Sequence, residues 1–356
     1  MFSTKNTAFK TLELGVCSFI LTFNISCGQN NIEIANKSAE STTDKATKID
    51  SLVALHADYE GFNGSILVAH EGEVIYKNGF GLANMEWDIP NQADTKFRLA
   101  SITKPFTAIL IMQLVAKNKL DLHKPITTYL PDYPKDKGDQ ITIHHLLTHT
   151  SGTVRDYEDN APKNKYPDRQ RLDQLVAKFS DLPLEFKPGE RFTYSNSGYL
   201  TLGYIIETVT GKSFESVLQQ RILSPLNMKN TGVDKHRPIL KNRAKGYFKG
   251  FGDYFNSDYV DMSSISAVGN MYSTGEDMFL LDQALHDESL LSKKYRDLMF
   301  YKHIETLATV GIMGTVGKLW KKPLEIRKMQ WKPLVIADSL QGFVPCSPES
   351  HPQIPL

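Results

Sequence analysis

A serine and a lysine three residues apart, Ser101 and Lys104, stand where a polar loop meets an apolar run in "FRLASITKPFTAILIMQLV". On a helix the two side chains share one face, about 5–6 Å apart at Cβ, so the Lys104 amine can reach the Ser101 hydroxyl. A serine is inert near neutral pH unless a base takes its proton, and a lysine among apolar groups can have its pKa lowered enough to help. The pair predicts an activated nucleophile, whose developing oxyanion the positive end of a helix would favour.

The same four-residue pattern has a plainer interpretation, in which Ser101 caps a helix and Lys104 is a solvated surface charge. Two observations favour the catalytic interpretation. No other serine in the chain has a lysine at this spacing. The stretch after Lys104 is also apolar where a surface helix would alternate, with large hydrophobic side chains at positions 106, 109, 110, 112, 114 and 115. We therefore predict a mostly buried helix that begins at the nucleophile.

A phenol and an amide, Tyr194 and Asn196, occur in "PGERFTYSNSGYLTLGYIIETVTGK", in a loop that precedes a periodic helix. Both side chains could project into a cleft from such a loop. Tyr-x-Asn alone is not specific, because it also occurs at Tyr76 and Tyr254. The Pro-Gly turn before Tyr194 and the helix after it favour this copy.

The order of the predicted elements indicates an α+β fold. A helical pattern at 49–59 is followed by two β-rich runs joined at positions 70–72, which predict a hairpin. The buried helix comes next, and helical patterns separated by Pro and Gly then extend over about 120–255. A hairpin, a buried helix and a long helical region describe an α+β enzyme better than a parallel α/β sheet.

The composition restricts the partners. Lys plus Arg (41) nearly cancel Asp plus Glu (40), so no global field would attract nucleic acid or an anionic membrane surface. The three cysteines form no Cys-x-x-Cys pair and indicate neither a disulfide framework nor a structural zinc site. His145 and His149 have metal-ligand spacing, but Leu146 stands where His-Glu-x-x-His needs glutamate, so we interpret both as structural. We expect no metal and no cofactor.

The first segment is typical of an export signal. Two lysines precede an apolar run from position 14 to 23, which is too short to span a bilayer. The run leads into Ser26-Cys27-Gly28, which resembles a bacterial lipoprotein signal with Cys27 as the acylated residue. Plain secretion and a buried N-terminal helix are the alternatives. We predict a signal peptide over 1–27, a disordered polar tether over 28–48, and location in the periplasm or cell envelope, with membrane contact only through the anchor.

Four stretches together resemble the serine β-lactamase-like family of class C β-lactamases, D-Ala-D-Ala carboxypeptidases and related esterases. They are "FRLASITKPFTA", "ITIHHLLTHTSG", "PGERFTYSNSGYLTLGYIIE" and "VGNMYSTGEDMF", and the resemblance covers about 50–299. It implies a β-lactamase/transpeptidase-like antiparallel sheet flanked by helices with an inserted all-α region, within one domain over 49–356. It further implies that Ser101 is acylated, that Lys104 and Tyr194 move its proton, and that Asn196 donates to the substrate.

The family's third motif, His/Lys-x-Gly on the strand beside the nucleophile, is missing. No such triplet follows Tyr194, and the stretch 307–356 has a proline-rich end that would make a poor closing strand. A shifted reading frame is one explanation. Codons for 312–317 permit Tyr-Gly-Tyr-Gly-Trp in the alternate frame, and those for 334–338 permit Gly-His-Ser-Gly. A divergent, inactive relative is the other.

Two functional hypotheses follow. The first is a serine hydrolase that forms an acyl-enzyme at Ser101 with an amide, β-lactam or ester, from a small-molecule or peptidoglycan-like substrate. The second is a catalytically inactive binding protein that keeps the fold. The third motif discriminates between them, because its strand supplies half of the family's oxyanion hole. The sequence does not distinguish the three substrate classes and indicates no oligomeric state.

Overall fold

The computed structural model describes residues 44–55, 62–156, 170–250, 252–301, 303 and the backbone of 332–337. The chain divides into two units, Met1–Lys48 and Ile49–Leu356. In the first unit the described residues, 44–48, are helical, so the predicted tether of 28–48 has a helical end. The predicted signal peptide and Cys27 lie outside the described residues. Among the described residues, no helix is both long and apolar enough to cross a membrane.

The second unit mixes strands and helices, after an initial helical stretch at 49–55. The strands are β1 (Gly64–His70), β2 (Glu73–Phe80), β3 (Leu82–Asn84), β4 (Ile89–Pro90), β5 (Phe97–Arg98), β6 (Gly232–Val233), β7 (Tyr247–Gly250), β8 (Asp253–Asn256), β9 (Met271–Ser273) and β10 (Lys332–Ala337). The helices are α1 (Thr103–Ala116), α2 (Lys135–Gly138), α3 (Ile143–Leu147), α4 (Leu172–Ala177), α5 (Asn196–Thr210), α6 (Phe214–Leu218), α7 (Gly275–Ala284) and α8 (Lys293–Phe300).

The predicted hairpin is β1 and β2. Glu71 and Gly72 form its turn with φ of 52° and 84°. Positive φ at both central residues gives the turn the twist that adjoining strands require, and glycine adopts it without a Cβ penalty. The hairpin is one side of an antiparallel sheet with the strand order β10-β1-β2.

The C-terminal stretch contributes the strand β10 to this sheet. It pairs antiparallel with β1 from Gly64↔Ala337 to Ala69↔Lys332. Its run Leu-Val-Ile is apolar, and Val335 and Ile336 are β-branched, as strands prefer. Pro333 is tolerated because β10 is an edge strand of the described sheet. The proline-rich end lies outside the described residues.

The helical region packs around α1, whose side chains from Thr103 to Met112 are all buried. Helices α3 to α6 supply apolar side chains to the same core. The prediction of an all-α region over 120–255 extends too far, because β6, β7 and β8 occupy its last part. The run Tyr247 to Asn256 is rich in aromatic residues, which strands prefer, and Gly252 in its turn has φ of 93°, which favours a hairpin.

A second sheet, with the order β5-β9-β6, is tied together by a buried carboxylate. Asp234 follows β6, and its side chain is only 1% exposed. Arg98 on β5 donates to it at 2.7 Å, and Arg243 donates to its other oxygen at 2.5 Å. Two guanidinium groups thus neutralise a carboxylate that would otherwise be costly to bury. This network fixes the strand from which the chain enters α1.

Candidate active site

Ser101 lies in a 3-10 turn, Ala100–Ile102, that leads directly into α1. We expected Ser101 in the first turn of the α-helix itself. The helix α1 instead begins two residues after the nucleophile. Ala100 has φ of +45°, a conformation that costs energy for a residue with a Cβ. Leu99 donates to Met271 of β9 at 2.8 Å and fixes the chain just before the turn. A strained residue is therefore held beside Ser101 by the sheet.

Lys104 is a buried lysine next to Ser101. Its Nζ donates to Oγ of Ser101 at 3.1 Å and to the carbonyl of Val268 at 3.3 Å. Burial lowers the pKa of Lys104 to about 7; the nearby charge of Asp156 raises it and that of Arg155 lowers it, both by less. A lysine with this pKa is substantially neutral near pH 7, and the 3.1 Å contact then lets Nζ accept the proton of Ser101.

Tyr194 reaches the same oxygen from the other side. Its hydroxyl donates to Oγ of Ser101 at 2.8 Å, and its ring centroid lies 4.8 Å from Nζ of Lys104. One serine oxygen therefore contacts an amine and a phenol together. The sequence predicted these three residues as a cluster, and the structure brings them together.

The other two Tyr-x-Asn copies lie elsewhere. Tyr76 on β2 donates to Asp50 at 2.6 Å, and burial together with this hydrogen bond raises its pKa to about 12. Tyr254 lies on β8, where its side chain is exposed and Lys249 sits over its ring. The context of each tyrosine, rather than the triplet, identified the right copy.

The loop that carries Tyr194 is fixed by Ser195, the N-cap of α5. Its hydroxyl accepts from the N–H of Gly198 at 3.0 Å, which satisfies a free donor of the helix end. The same hydroxyl donates to Val154 at 2.9 Å and contacts Thr153 at 3.0 Å. The residue between the phenol and the amide thus anchors both to the neighbouring loop, a role that sequence reasoning missed.

His149 is a positioning residue for that loop. Its Nδ1 accepts from the N–H of Ser195 at 3.1 Å, and its ring stacks between Tyr194 and Tyr199 at centroid distances of 4.6 and 5.0 Å. Burial, and secondly the charge of Lys104, lowers the pKa of His149 to about 3, so the ring is neutral and can accept. The expectation of a structural role fits these contacts. A buried histidine next to Tyr-x-Asn was not visible in the linear sequence.

His145 also serves backbone geometry. Its Nδ1 accepts from the N–H of Thr142 at 3.2 Å, while the Thr142 hydroxyl accepts from the N–H of His145, which closes a capping box at α3. Within the described ranges no group of three or more His, Cys, Asp or Glu side chains is arranged to hold a metal ion.

Gly152 lets the His149 loop approach the segment that precedes Tyr194. Its φ is +73°, and a Cβ built there would lie 2.1 Å from the carbonyl of Phe186. The N–H of Glu185 donates to the carbonyl of Gly152 at 2.8 Å, and that of Thr193 donates to His149 at 2.9 Å. Any larger residue at this position would push the two loops apart.

Asn196, which the resemblance implies as a donor to the substrate, donates within the protein to Asp156. Its Nδ2 donates to Oδ1 of Asp156 at 2.6 Å, and its Oδ1 is buried with no partner among the described residues. Its N–H donates to the carbonyl of Arg155 at 2.8 Å. Asp156 also accepts from Nε of Arg155 at 3.1 Å, and both of those side chains are about half exposed. The amide donor of Asn196 is therefore engaged by a carboxylate.

This arrangement can move a proton to and from one serine oxygen in a site that is buried on the lysine side. Comparison with known proteins agrees with it. The Beta-lactamase family profile matches residues 49–320, more than half of the chain. The chain belongs to the beta-lactamase family. The predicted family and the α+β fold with a β-lactamase-like architecture are thereby confirmed.

Two curated relatives illustrate the range of this beta-lactamase family. Over 271 residues the chain is 31% identical to PbpX of Bacillus subtilis (strain 168), a protein named for penicillin binding, with 75% of this chain and 66% of the relative covered. Over 242 residues it is 29% identical to the teichoic acid D-alanine hydrolase of Staphylococcus aureus, with 68% and 58% covered. The chain thus spans less than two thirds of either relative's length.

Solved structures of the beta-lactamase fold are similarly close. A penicillin-binding protein from Bacillus halodurans has a TM-score of 0.63 and 32% identity, covering 71% of this chain and 78% of that one. The D-amino acid amidase of Ochrobactrum anthropi SV3 has a TM-score of 0.59 and 31% identity, covering 68% and 70%. The chain is thus similar to serine hydrolases of the beta-lactamase family and to penicillin-binding proteins.

Proposed function

We propose that this protein is a hydrolase that forms an acyl-enzyme at Ser101 and then releases the acyl group to water. The observation that carries the proposal is the convergence of Lys104 Nζ at 3.1 Å and Tyr194 Oη at 2.8 Å on Oγ of Ser101. A nucleophile within hydrogen-bond reach of its base is the arrangement required for covalent catalysis. A surface lysine beside a capping serine would be neither buried nor contacted by a phenol.

Each half-reaction moves one proton. Neutral Lys104 takes the proton of Ser101 as Oγ attacks the carbonyl carbon, and the tetrahedral intermediate carries the charge on its oxygen. Tyr194, on the other side of Oγ, gives a proton to the leaving alcohol or amine, and Lys104 restores it. Water then attacks the acyl carbon by the reverse path, and Ser101 leaves with its proton. The backbone N–H of Ser101, in the 3-10 turn that leads into α1, is the proposed first oxyanion donor.

The substrate proposed is an ester or amide, with the β-lactam ring as a strained amide of the same kind. Two of the similar proteins are named for D-amino acyl chemistry, a teichoic acid D-alanine hydrolase and a D-amino acid amidase. Their names support D-amino acyl esters and amides as the first substrates to assay. The relatives named for penicillin binding support β-lactams and peptidoglycan-like peptides as the next.

Labelling with two probes tests this function. A fluorophosphonate and a fluorescent penicillin are applied side by side to the wild type and to Ser101→Ala. We expect the wild type to label with at least one probe, with the added mass on the peptide that contains Ser101, and Ser101→Ala to stay unlabelled while unfolding at nearly the same temperature. Labelling that persists in Ser101→Ala contradicts the assignment.

A catalytically inactive binding protein is the second candidate, and the missing third motif favours it. No His-x-Gly or Lys-x-Gly follows Tyr194, and the family match ends at residue 320. Removing one oxyanion donor alone typically costs about 10²- to 10³-fold in rate. A frameshift near residue 306 remains our proposal for this loss. Resequencing the coding DNA tests it, together with expression of both versions. Turnover at rates ordinary for an enzyme by the present chain would contradict both the inactive candidate and the frameshift.

Export to the cell envelope, with Cys27 as a lipid-modified residue, is the proposal for location. The segment 1–27 supports it through two lysines, a short apolar run and the Ser-Cys-Gly junction. In a bacterial host that processes lipoproteins, the wild type should partition into the membrane fraction, and Cys27→Ser should be released or stay unprocessed. Equal recovery of both forms in the soluble fraction would leave ordinary secretion.

A further inference from the structure

A carboxylate lies near the candidate catalytic lysine without belonging to the proton path. Asp156 is half exposed, and its charge lies close enough to raise the pKa of Lys104. It also accepts the side-chain amide of Asn196 at 2.6 Å, two residues beyond the tyrosine that contacts Ser101. Among the described residues, a half-exposed negative charge is thus linked by one hydrogen bond to the loop that carries Tyr194.

Asp156 fixes the orientation of the Asn196 amide. An ionised carboxylate only accepts hydrogen bonds, so the group facing Oδ1 of Asp156 must be the NH₂ and not the carbonyl. The remaining polar atom, Oδ1 of Asn196, is an acceptor with no partner among the described residues. That oxygen is buried, so the group that these two side chains offer to a ligand is the half-exposed carboxylate of Asp156, and a ligand that complements it must bring donors.

We propose that Asp156, with the amide of Asn196, selects acyl groups that carry a free ammonium, as aminoacyl esters and amides do. The inference rests on the proposed function, since it names the substrate class of the same site. An α-ammonium lies one carbon from the carbonyl that Ser101 attacks, so its distance from the nucleophile is short and fixed. The two oxygens of Asp156 already accept from Asn196 and Arg155. A carboxylate has about four acceptor sites, so Asp156 can still accept from a compact cation with three donors.

The surrounding charges agree with a cationic substrate. Lys104 is neutral where it acts as a base, and His149 is neutral, since burial lowers both pKa values. Arg155 is a further cation near Tyr194, with its guanidinium 5.7 Å from the ring centroid, and its charge is offset by the ion pair with Asp156. An N-acylated substrate lacks the charge and two of the donors, so it would offer Asp156 a single neutral N–H donor.

The test compares two esters that differ only at the amine, the ethyl esters of D-alanine and N-acetyl-D-alanine, on the full-length protein. We expect the wild type to favour the free amine about tenfold or more in kcat/KM, as a charged hydrogen bond allows. In Asp156→Asn the preference should fall to about threefold or less, and Asp156→Glu should restore part of it. Asp173→Asn, which removes another partly exposed carboxylate paired with a neighbouring arginine, is the matched control. Its preference should equal that of the wild type.

The pH dependence gives a second readout. Activity needs neutral Lys104, so kcat/KM should rise through pH about 7 for both esters. Only the free amine should then decline above about pH 8, where an α-amino group loses its proton. In Asp156→Asn the acidic limb should move to lower pH for both esters, because the charge that raises the pKa of Lys104 is gone.

The outcomes separate this inference from the proposed function. Hydrolysis of both esters with equal kcat/KM in the wild type, or an unchanged preference in Asp156→Asn, overturns the ammonium site and leaves the acyl-enzyme intact. A preference for the N-acetyl ester overturns it in favour of recognition by Arg155. If neither ester is hydrolysed and Ser101 takes up neither probe, the proposed function itself fails and the ammonium site fails with it.

Discussion

Two buried ionisable side chains, Lys104 and Asp234, are treated in opposite ways by this fold. Asp234 is almost wholly buried and accepts from two arginines at 2.7 and 2.5 Å. Lys104 is equally buried, yet its Nζ contacts a hydroxyl, a carbonyl and the face of a phenol ring. Asp156, the carboxylate that acts on it, has only a secondary effect on its pKa.

The difference indicates a structural role for the Asp234 charge and a chemical role for the Lys104 amine. A buried charge with two partners stays ionised and holds strands together. A buried lysine without a direct carboxylate partner loses its proton near neutral pH and becomes a base. Because stability alone would favour pairing or replacement of such a lysine, the burial of Lys104 without a carboxylate partner among the described residues supports its proposed role as the base.

Removing the amine of Lys104 should produce the largest effect. Lys104→Met should slow acylation of Ser101 by about 10²- to 10⁴-fold, the usual loss for a general base, in stopped-flow or gel assays with a fluorophosphonate. Lys104→Arg should not rescue the rate, because a guanidinium keeps its proton at working pH. A fully active arginine variant would contradict the role of Lys104 as a base and favour the interpretation of Lys104 as a solvated charge.

The same variant should gain stability. The pKa of Lys104 falls from about 10.4 in an unfolded chain to about 7 in the fold, so folding favours loss of its proton. The free-energy cost of burying the Lys104 charge is complete below about pH 7 and disappears as the pH rises toward 10. We expect Lys104→Met to raise the free energy of unfolding at pH 7 by about 1 kcal/mol or more, with a smaller gain at pH 9. A destabilised variant would contradict an uncompensated lysine.

Asp234 should behave in the opposite way. Asp234→Ala leaves two guanidinium groups without their carboxylate, and we expect a loss of about 2–3 kcal/mol in urea unfolding. This is less than for fully buried partners, because Arg98 and Arg243 are 25% and 30% exposed. At low temperature the folded fraction should still label at Ser101. A change below about 0.5 kcal/mol would show that the network is not structural.

Gly152→Ala should have an intermediate effect on the stability of the fold and on the labelling rate of Ser101. A Cβ would lie 2.1 Å from the carbonyl of Phe186, so the His149 loop must shift. We expect a loss of about 1–2 kcal/mol from the positive φ and the backbone clash, measured by thermal unfolding. Labelling of Ser101 should slow about tenfold because the loop that holds Tyr194 moves. Gly211→Ala, with similar φ but open space around it, controls for φ alone and should leave the labelling rate unchanged.

Exposed ion pairs should give the smallest effect. Lys293 and Asp297 form an i,i+4 pair on α8, with side chains 70% and 54% exposed. Asp297→Ala should change the free energy of unfolding by about 0.5 kcal/mol or less in the same urea assay. A loss as large as that of Asp234→Ala would mean that burial does not explain the contrast.

The sequence predicted the parts of this fold that follow from local sequence patterns. The β1–β2 hairpin and the buried helix α1 followed from turn residues and from a continuous apolar run. The cluster of Ser101, Lys104 and Tyr194 followed from one local spacing and one loop context. The pairing of these two segments came only with the family resemblance, because 90 residues separate them.

Other features depend on long-range contacts that no local pattern contains. The β7–β8 hairpin lay inside a region that we predicted as all-α, since its strands are only four residues long. The stacking of His149 on Tyr194 and the hydrogen bond of Asn196 to Asp156 each join residues about 40 positions apart. The motif does not predict the contact of Asn196 with Asp156 for that reason: it is set by a loop whose path the motif does not encode.

The most direct test of the account is the pH dependence of the acylation rate at Ser101. A fluorophosphonate is applied from about pH 5 to pH 9, and the modified peptide is quantified by mass spectrometry. The account predicts a rate that rises with a midpoint near pH 7, with all added mass on Ser101. A flat profile, a midpoint near the ordinary lysine pKa of about 10, or modification at Ser151 or Ser195 would contradict it.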